Sequence, residues 1–307
     1  MKKILLSIAM ALVAFGGILG LSACGTKDEE IKLYTRDVTS GTRDGFFTGI
    51  GFSEAKEDNG LLKAGYIEVA SNGDMITAIK GDQYGIGYIS LSSLADSGLK
   101  GLVYENVDPT EANVLNGTYK LTRNFNYCLR AEYSNEKNKQ IVEAFVAYLS
   151  TVEGKATIMD KGGILETSSS DKSWETIKAD YPIASSDNSG VTINVGGSTS
   201  VKSIVSALLL EFSSKCGNFK YNYNPTGSSD AYKRTNGNEK DSTNACDLAF
   251  ASREFKAEEA MDESLKGKMC IDAIVAVVNK NNKVTSVTAE VLKSIFKGEI
   301  TKWSEVK

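Results

Sequence analysis

Four times along this 307-residue chain a short strand-like run ends in a small turn of glycine, serine and threonine type: Ser40-Gly41-Thr42, Ser198-Thr199-Ser200, Gly227-Ser228-Ser229 and Ala251-Ser252. At least two of these turns open a convincing helix, and strands alternate with helices along the whole chain. That alternation argues an α/β protein with its ligand at the C-terminal edges of the strands. A helix start leaves about four backbone N–H groups without intrahelical partners and carries positive partial charge, which makes it a seat for an anion. In the first turn, Ile31 to Thr35 reads as a strand and Thr42 onward as a helix whose Phe46, Phe47 and Ile50 share one face. Gly41 lets an oxyanion approach the backbone, Ser40 and Thr42 add hydroxyls, and Arg36 supplies a planar, permanently charged fork that fits two oxygens at once. The competing reading is an ordinary Ser/Thr helix cap beside exposed arginines.

The remaining elements follow from periodicity. Strands are expected at Tyr66–Val69, Gly85–Leu91, Tyr119–Leu129, Val191–Val195, Lys220–Tyr223 and Asp247–Glu254. Asp272 to Asn279, apolar and β-branched, fits the middle of a parallel sheet. Helices are expected from Asn72, through Ile141, Val142, Phe145, Val146 and Leu149 with closure near Gly154, through Val201 to Phe212, and over Thr288–Phe296. The stretch from Glu166 to Gly190 is rich in Ser and Asp and reads as an exposed linker around Trp174.

Composition narrows the function classes. Histidine is absent, which removes the commonest general base, the usual Ser-His and Cys-His pairings and the commonest zinc ligand. No Walker A loop, no G-x-G-x-x-G turn and no G-x-S-x-G elbow is present. A non-enzyme without cofactor or metal is therefore expected. Lys2 and Lys3 precede an apolar run from Ile4 to Leu19, and Leu21-Ser22-Ala23-Cys24 closes it, which is the layout of a secretory signal. The run is short for a membrane span and contains Gly16, Gly17 and Gly20. Removing Lys2 and Lys3 leaves 33 basic against 39 acidic residues, a net charge of −6, so nucleic acid is a poor partner and an anion has to be caught by local donors. Cys128, Cys216, Cys246 and Cys270 lack metal-like spacing and admit either two disulfides in any of three pairings or small buried thiols.

Several motifs taken together resemble one family, the phosphate-binding lipoproteins of bacterial phosphate ABC importers. They are Tyr34-Thr35-Arg36 with Ser40-Gly41-Thr42-Arg43-Asp44, Gly85-Ile86-Gly87-Tyr88, Gly197-Ser198-Thr199-Ser200-Val201, Thr226-Gly227-Ser228-Ser229, Asp247 through Glu254, and Ile295 through Trp303. Leu-Ser-Ala-Cys is likewise similar to a lipobox, with Cys24 as the lipid-modified residue. The resemblance implies a two-lobed periplasmic-binding-protein fold of type II, phosphate held by Arg36, Ser40, Gly41, Thr42, Thr199, Ser200, Ser228 and Ser252, an ABC permease as partner, and a lipid anchor on the outer face of the bacterial membrane. A sensor lipoprotein not coupled to transport is the alternative.

Two departures from the family pattern stand out. The motif order is rotated: joining Lys307 to Ile31 restores the usual order, so the chain resembles a circular permutation of the family, with a rearranged, domain-swapped chain as the rival. The expected division is a signal peptide over 1–24, a tether over 25–30, one lobe from 31–100 plus 285–307, a second from 101–166 plus 191–284, and a linker over 167–190. The other departure is Arg253, which stands where some relatives carry an Asp that accepts the proton of hydrogen phosphate; Asp44 and Asp230 are the candidate substitutes.

Overall fold

The computed structural model describes residues 29–306; the expected signal peptide, Cys24 and most of the expected tether lie outside them. In chain order the elements are β1 (Lys32–Arg36), α1 (Gly41–Gly49), β2 (Ile67–Val69), α2 (Asn72–Lys80), β3 (Gly85–Ser90), β4 (Lys100–Gly101), β5 (Val103–Tyr104), α3 (Glu111–Leu115) and β6 (Thr122–Leu129). They continue with α4 (Glu136–Leu149), α5 (Val152–Asp160), α6 (Trp174–Ile177), β7 (Thr192–Gly197), α7 (Lys202–Lys215), β8 (Lys220–Pro225), α8 (Ser229–Thr235), β9 (Leu248–Ala251), β10 (Lys266–Val278), β11 (Ser286–Val287) and α9 (Ala289–Lys297). Hydroxyl and amide caps set most helix starts. Ser40, Ser71, Thr110, Thr151 and Thr288 each accept from the backbone N–H three residues on, the bond that satisfies one orphan donor of the first turn.

One sheet runs β2-β1-β3-β10-β6-β9-β7-β8, with β4 also on β10, while β11 and β5 form a separate parallel pair. Strand β10 organises it. Its first part pairs antiparallel with β6 and its last part antiparallel with β3, so this single strand passes from one core to the other. One core gathers Phe145, Tyr148, Val205, Leu208, Phe212 and Phe250; the other gathers Phe46, Phe47, Tyr88, Leu121, Ile274 and Phe296. In the second core Phe46 stacks on Tyr88 with ring centroids 4.1 Å apart, and Phe47 and Phe296 meet both edge-on or tilted. Leu102, Tyr104, Tyr119 and Leu121 pack into this second core, as do Ala276 and Val278 from the end of β10.

The expected parallel setting of 272–279 is corrected by these pairings, which are antiparallel on both sides. A long apolar run reports burial on both faces, and a strand central to two cores meets that condition whatever its direction. The single helix expected to close near Gly154 is two, α4 and α5. Gly154 lies inside α5, where an added Cβ would sit 2.0 Å from the Tyr148 carbonyl oxygen, so the glycine marks close approach and not an end.

The segment 167–190 is not a free linker. Trp174 is buried against Tyr148, Phe212 and Tyr181, and Ile183 and Ala184 enter the same core. A Ser/Asp-rich composition suggests exposure, but one buried Trp removes enough apolar surface from water to pin the segment. At the other end of the molecule, residues 29–31 pair with 301–303: Ile31 N–H donates to the Thr301 carbonyl at 2.8 Å, and Trp303 N–H to the Glu29 carbonyl at 3.0 Å.

Cys128, Cys216, Cys246 and Cys270 are buried free thiols. Burial pushes Cys128 up to about 12 and Cys216 and Cys246 up to about 11, with Cys270 raised in the same direction, because an apolar surround disfavours the thiolate. A thiol-specific disulfide reagent near pH 8 is therefore expected to leave all four unreacted in the folded protein and to titrate them on denaturation; fast native reaction at any of them would contradict this burial.

Candidate functional site

The four hydroxyl turns converge. Thr42 Oγ1 of α1 lies 2.8 Å from Ser200 Oγ, although 158 residues separate them in the chain. Ser198 Oγ donates to Ser252 Oγ at 2.9 Å, Ser228 Oγ lies 3.0 Å from Ser252 Oγ, and Ser252 N–H donates to Ser228 Oγ at 2.9 Å. Gly41 closes the ring: a Cβ there would sit 2.5 Å from Ser228 Oγ and 2.6 Å from Ser252 Oγ, so the first turn of α1 touches the other two turns only because the residue is glycine. Ser40 caps α1, accepting from Arg43 N–H at 3.4 Å. Ser40, Thr42, Ser198, Ser200, Ser228 and Ser252 are all buried, which sequence periodicity alone would not require of cap residues.

Arg36 ends β1 beside this cluster and is 1% exposed. Its Nη2 donates to the Ala70 carbonyl at 2.8 Å and to Thr199 Oγ1 at 3.2 Å, while Nε and Nη1 are buried with no partner. The nearest carboxylate, Asp37, stands at 3.8 Å. Burial holds this guanidinium below its ordinary range, with Asp37 acting in the opposite direction. Buried N–H groups of a cation are costly when left unmatched, so these two donors call for an acceptor of negative charge.

Arg43 has a different role. Its guanidinium donates to the carbonyls of Arg36, Ala55 and Lys56 at 2.7, 2.6 and 2.9 Å, and so fixes the backbone that carries Arg36. Tyr88 adds to the same support: Arg36 N–H donates to its hydroxyl at 3.1 Å. The three side chains considered as proton acceptors or supports are all engaged elsewhere. Asp44 pairs with Lys56 at 3.7 Å, and Asp230 pairs with Arg234 at 3.1 Å and accepts from Thr226. Arg253 donates to both oxygens of Glu259 at 2.7 Å; its burial opposes the charge, but the bidentate pair outweighs that and raises its pKa.

Sequence reading missed three participants. Ser198 reads as part of a turn, yet its hydroxyl ties that turn to the one at Ser252 while accepting from Ser200 N–H. Asn72, the first residue of α2, reaches across to donate to Ser200 Oγ at 3.0 Å. Arg123 on β6 faces Asp272 on β10, with Nε and Nη2 on one carboxylate oxygen at 3.0 and 2.8 Å, while Ser90 Oγ donates to the other at 2.6 Å. The spacing Leu121, Arg123, Phe125 was a usable signal, because a charge in phase with inward-facing apolar residues of a strand is buried and needs a partner. Among the described residues no group of His, Cys, Asp and Glu is placed to hold a metal, and no helix is long and apolar enough to cross a membrane.

What this assembly offers is a cluster of neutral hydroxyl and backbone donors beside one guanidinium that Asp37 offsets only at 3.8 Å and whose Nε and Nη1 have no partner. It has no nucleophile paired with a base. Gly41→Ala gives a test of the packing by sign: in an ordinary helix the change adds about 1 kcal/mol of stability, whereas here collision with Ser228 and Ser252 should remove roughly 1–3 kcal/mol in urea denaturation.

The chain is similar to several known proteins. A PBP superfamily domain model matches residues 182–307. The phosphate-binding protein PstS 2 of Streptococcus pneumoniae is 28% identical over 317 aligned residues, covering 100% of this chain and 99% of that protein. The phosphate-binding protein PstS of Borreliella burgdorferi is 29% identical over 126 residues, 41% of this chain and 43% of its own. A crystal structure of a phosphate-binding protein of a phosphate ABC transporter from Streptococcus pneumoniae superposes with a TM-score of 0.64 at 25% identity, over 91% of this chain and all of that one.

Proposed function

We propose that this chain, a member of the PBP superfamily, is an extracytoplasmic solute-binding protein that takes inorganic phosphate between two lobes and delivers it to an ABC importer. The observation that carries the reading is the Arg36 guanidinium, buried with Nε and Nη1 unpartnered beside four turns of hydroxyl groups. A tetrahedral oxyanion supplies what that charge lacks: two oxygens for the fork, and further oxygens for Ser40, Thr42, Thr199, Ser200, Ser228 and Ser252 and for the α1 N–H groups at Gly41. Recognition by fixed neutral donors suits a chain of net negative charge, since the protein's overall field repels the ligand and only local geometry attracts it. Its relatives in Streptococcus pneumoniae are phosphate-binding proteins, which points to the same ligand.

The two cores are the two lobes of this proposal, hinged where β6 and β10 run between them. The domain limits drawn from sequence then move: 101–121 and the end of β10 go with the lobe that carries α1, because their side chains pack in its core. The pairing of 29–31 with 301–303 supports a permuted chain order, since a bond between those neighbouring segments would restore the usual sequence of motifs. The partial match to the Borreliella protein beside the full-length match to PstS 2 fits an order shared with the latter. Lipid attachment at Cys24 completes the proposal and keeps the protein on the outer face of the membrane.

Titration calorimetry with phosphate, sulfate and molybdate tests the site. Arg36→Ala should weaken phosphate binding by at least about a hundredfold, since it removes two charge-assisted hydrogen bonds worth about 1.5–3 kcal/mol each. An Arg36→Ala protein that folds and binds phosphate as tightly as the natural chain would remove the assignment.

A further inference from the structure

The side chain of Asn72 is placed so that its orientation can be deduced. On one side it meets the backbone N–H of Ser90, 3.4 Å from Oδ1, and on the other the hydroxyl of Ser200, 3.0 Å from Nδ2. A backbone N–H can only donate, so the amide oxygen must face Ser90 and the amide NH2 must face Ser200. The side chain is buried, and Ser90 is held in turn by its hydroxyl bond to Asp272 at 2.6 Å, so the amide has no freedom to flip.

That orientation biases where the proton of Ser200 points. Asn72 fills one of the two accepting positions on Ser200 Oγ and leaves its O–H free to donate, to Thr42 Oγ1 at 2.8 Å or to an anion that takes that place. We propose that Asn72 is a specificity-determining residue that acts through Ser200: by holding one lone pair it favours this hydroxyl as a donor to the anion over its use as an acceptor at that position. The inference rests on the reading of the pocket as a phosphate site and deepens it. Asp44 and Asp230 are engaged elsewhere and Arg253 is paired to Glu259, so none of the three supplies that acceptor, and the hydroxyls decide how a protonated oxygen is received. With Ser200 committed as a donor, the pocket favours four unprotonated oxygens there, and the discrimination between hydrogen phosphate and sulfate that an acceptor would provide is held down.

Asn72→Asp reverses the assignment. Its carboxylate keeps the bond from Ser90 N–H but accepts the Ser200 proton, which turns the Ser200 lone pairs toward the anion. A P–O–H group can donate to them, whereas sulfate places oxygen against oxygen. The measurement is calorimetric affinity for both anions above the second dissociation of phosphate, where hydrogen phosphate and sulfate each carry two charges. The added carboxylate then repels both equally, and only the ligand proton differs. Asn72→Asp should shift the phosphate-to-sulfate affinity ratio toward phosphate by about tenfold, the value of one buried hydrogen bond. Asn72→Ala, which frees Ser200 without adding charge and covers the case of an unfolded Asp variant, should shift it the same way by about two- to fivefold. In a Ser200→Ala background neither change should move the ratio.

A role in packing or closure alone would weaken both anions by one factor, so an unchanged ratio in the folded single variants overturns the inference and leaves the phosphate reading intact. A shift that survives in Ser200→Ala overturns it too. A natural chain that binds neither anion overturns both.

Discussion

Two unpartnered nitrogens of one guanidinium are the constraint around which the site is built. Arg36 is brought out of water at the end of β1, where burial depresses its pKa and Asp37, at 3.8 Å from Nη2, and Asp74 offset that only in part. A charge in that position needs a rigid surround, because a loose one would let the side chain swing back to solvent. The surround is supplied by Arg43, whose three carbonyl bonds tie β1 to the segment after α1, and by Tyr88, whose hydroxyl holds the Arg36 backbone and whose ring stacks on Phe46. The aromatic cluster of the second core thus has a positional effect on the pocket as well as a stabilising one.

A second buried arginine, Arg123, meets the same problem in the opposite way. Arg123 has its own carboxylate, Asp272, opposite it in the β6–β10 pairing, and the two lie where both strands leave one core for the other. Burial lowers the Arg123 pKa and raises that of Asp272, and each is drawn back toward charge by its partner. A buried pair of this kind adds little net stability compared with apolar residues, but it fixes register, because a slip of one residue would strand both charges. Through Ser90 and Asn72 the pair connects by hydrogen bonds to Ser200 in the pocket. The crossing strands and the anion turns are therefore parts of one polar network.

Much of this was legible before the structure. The strand–turn–helix units around Ser40-Gly41-Thr42 and Ser198-Thr199-Ser200 carry local signals, a cap residue, a glycine and an apolar stripe, and local signals survive tertiary packing. What was illegible was non-local. The direction of β10 depends on partners far away in sequence, the burial of 167–190 depends on a slot for Trp174 between Tyr148 and Phe212, and the division of Gly154 from the helix end depends on a carbonyl it touches. Asn72 was hidden for a related reason: after Ser71 it reads as part of a helix cap, and only the folded chain brings Ser200 to it. The fate of Asp44, Asp230 and Arg253 was likewise decided by Lys56, Arg234 and Glu259, whose proximity no spacing rule predicts.

The pairing of the hydroxyls with one another has a thermodynamic consequence. Thr42 with Ser200, and Ser198 with Ser252 and Ser228, satisfy each other across the gap between the turns. For these groups, bringing the turns together without an anion forfeits little, because each merely exchanges one partner for another. Under the proposed role, the difference between closing on an anion and closing on none then falls mainly on Arg36, whose unpartnered nitrogens gain an acceptor only in the first. One side chain accordingly sets the balance between the two closures.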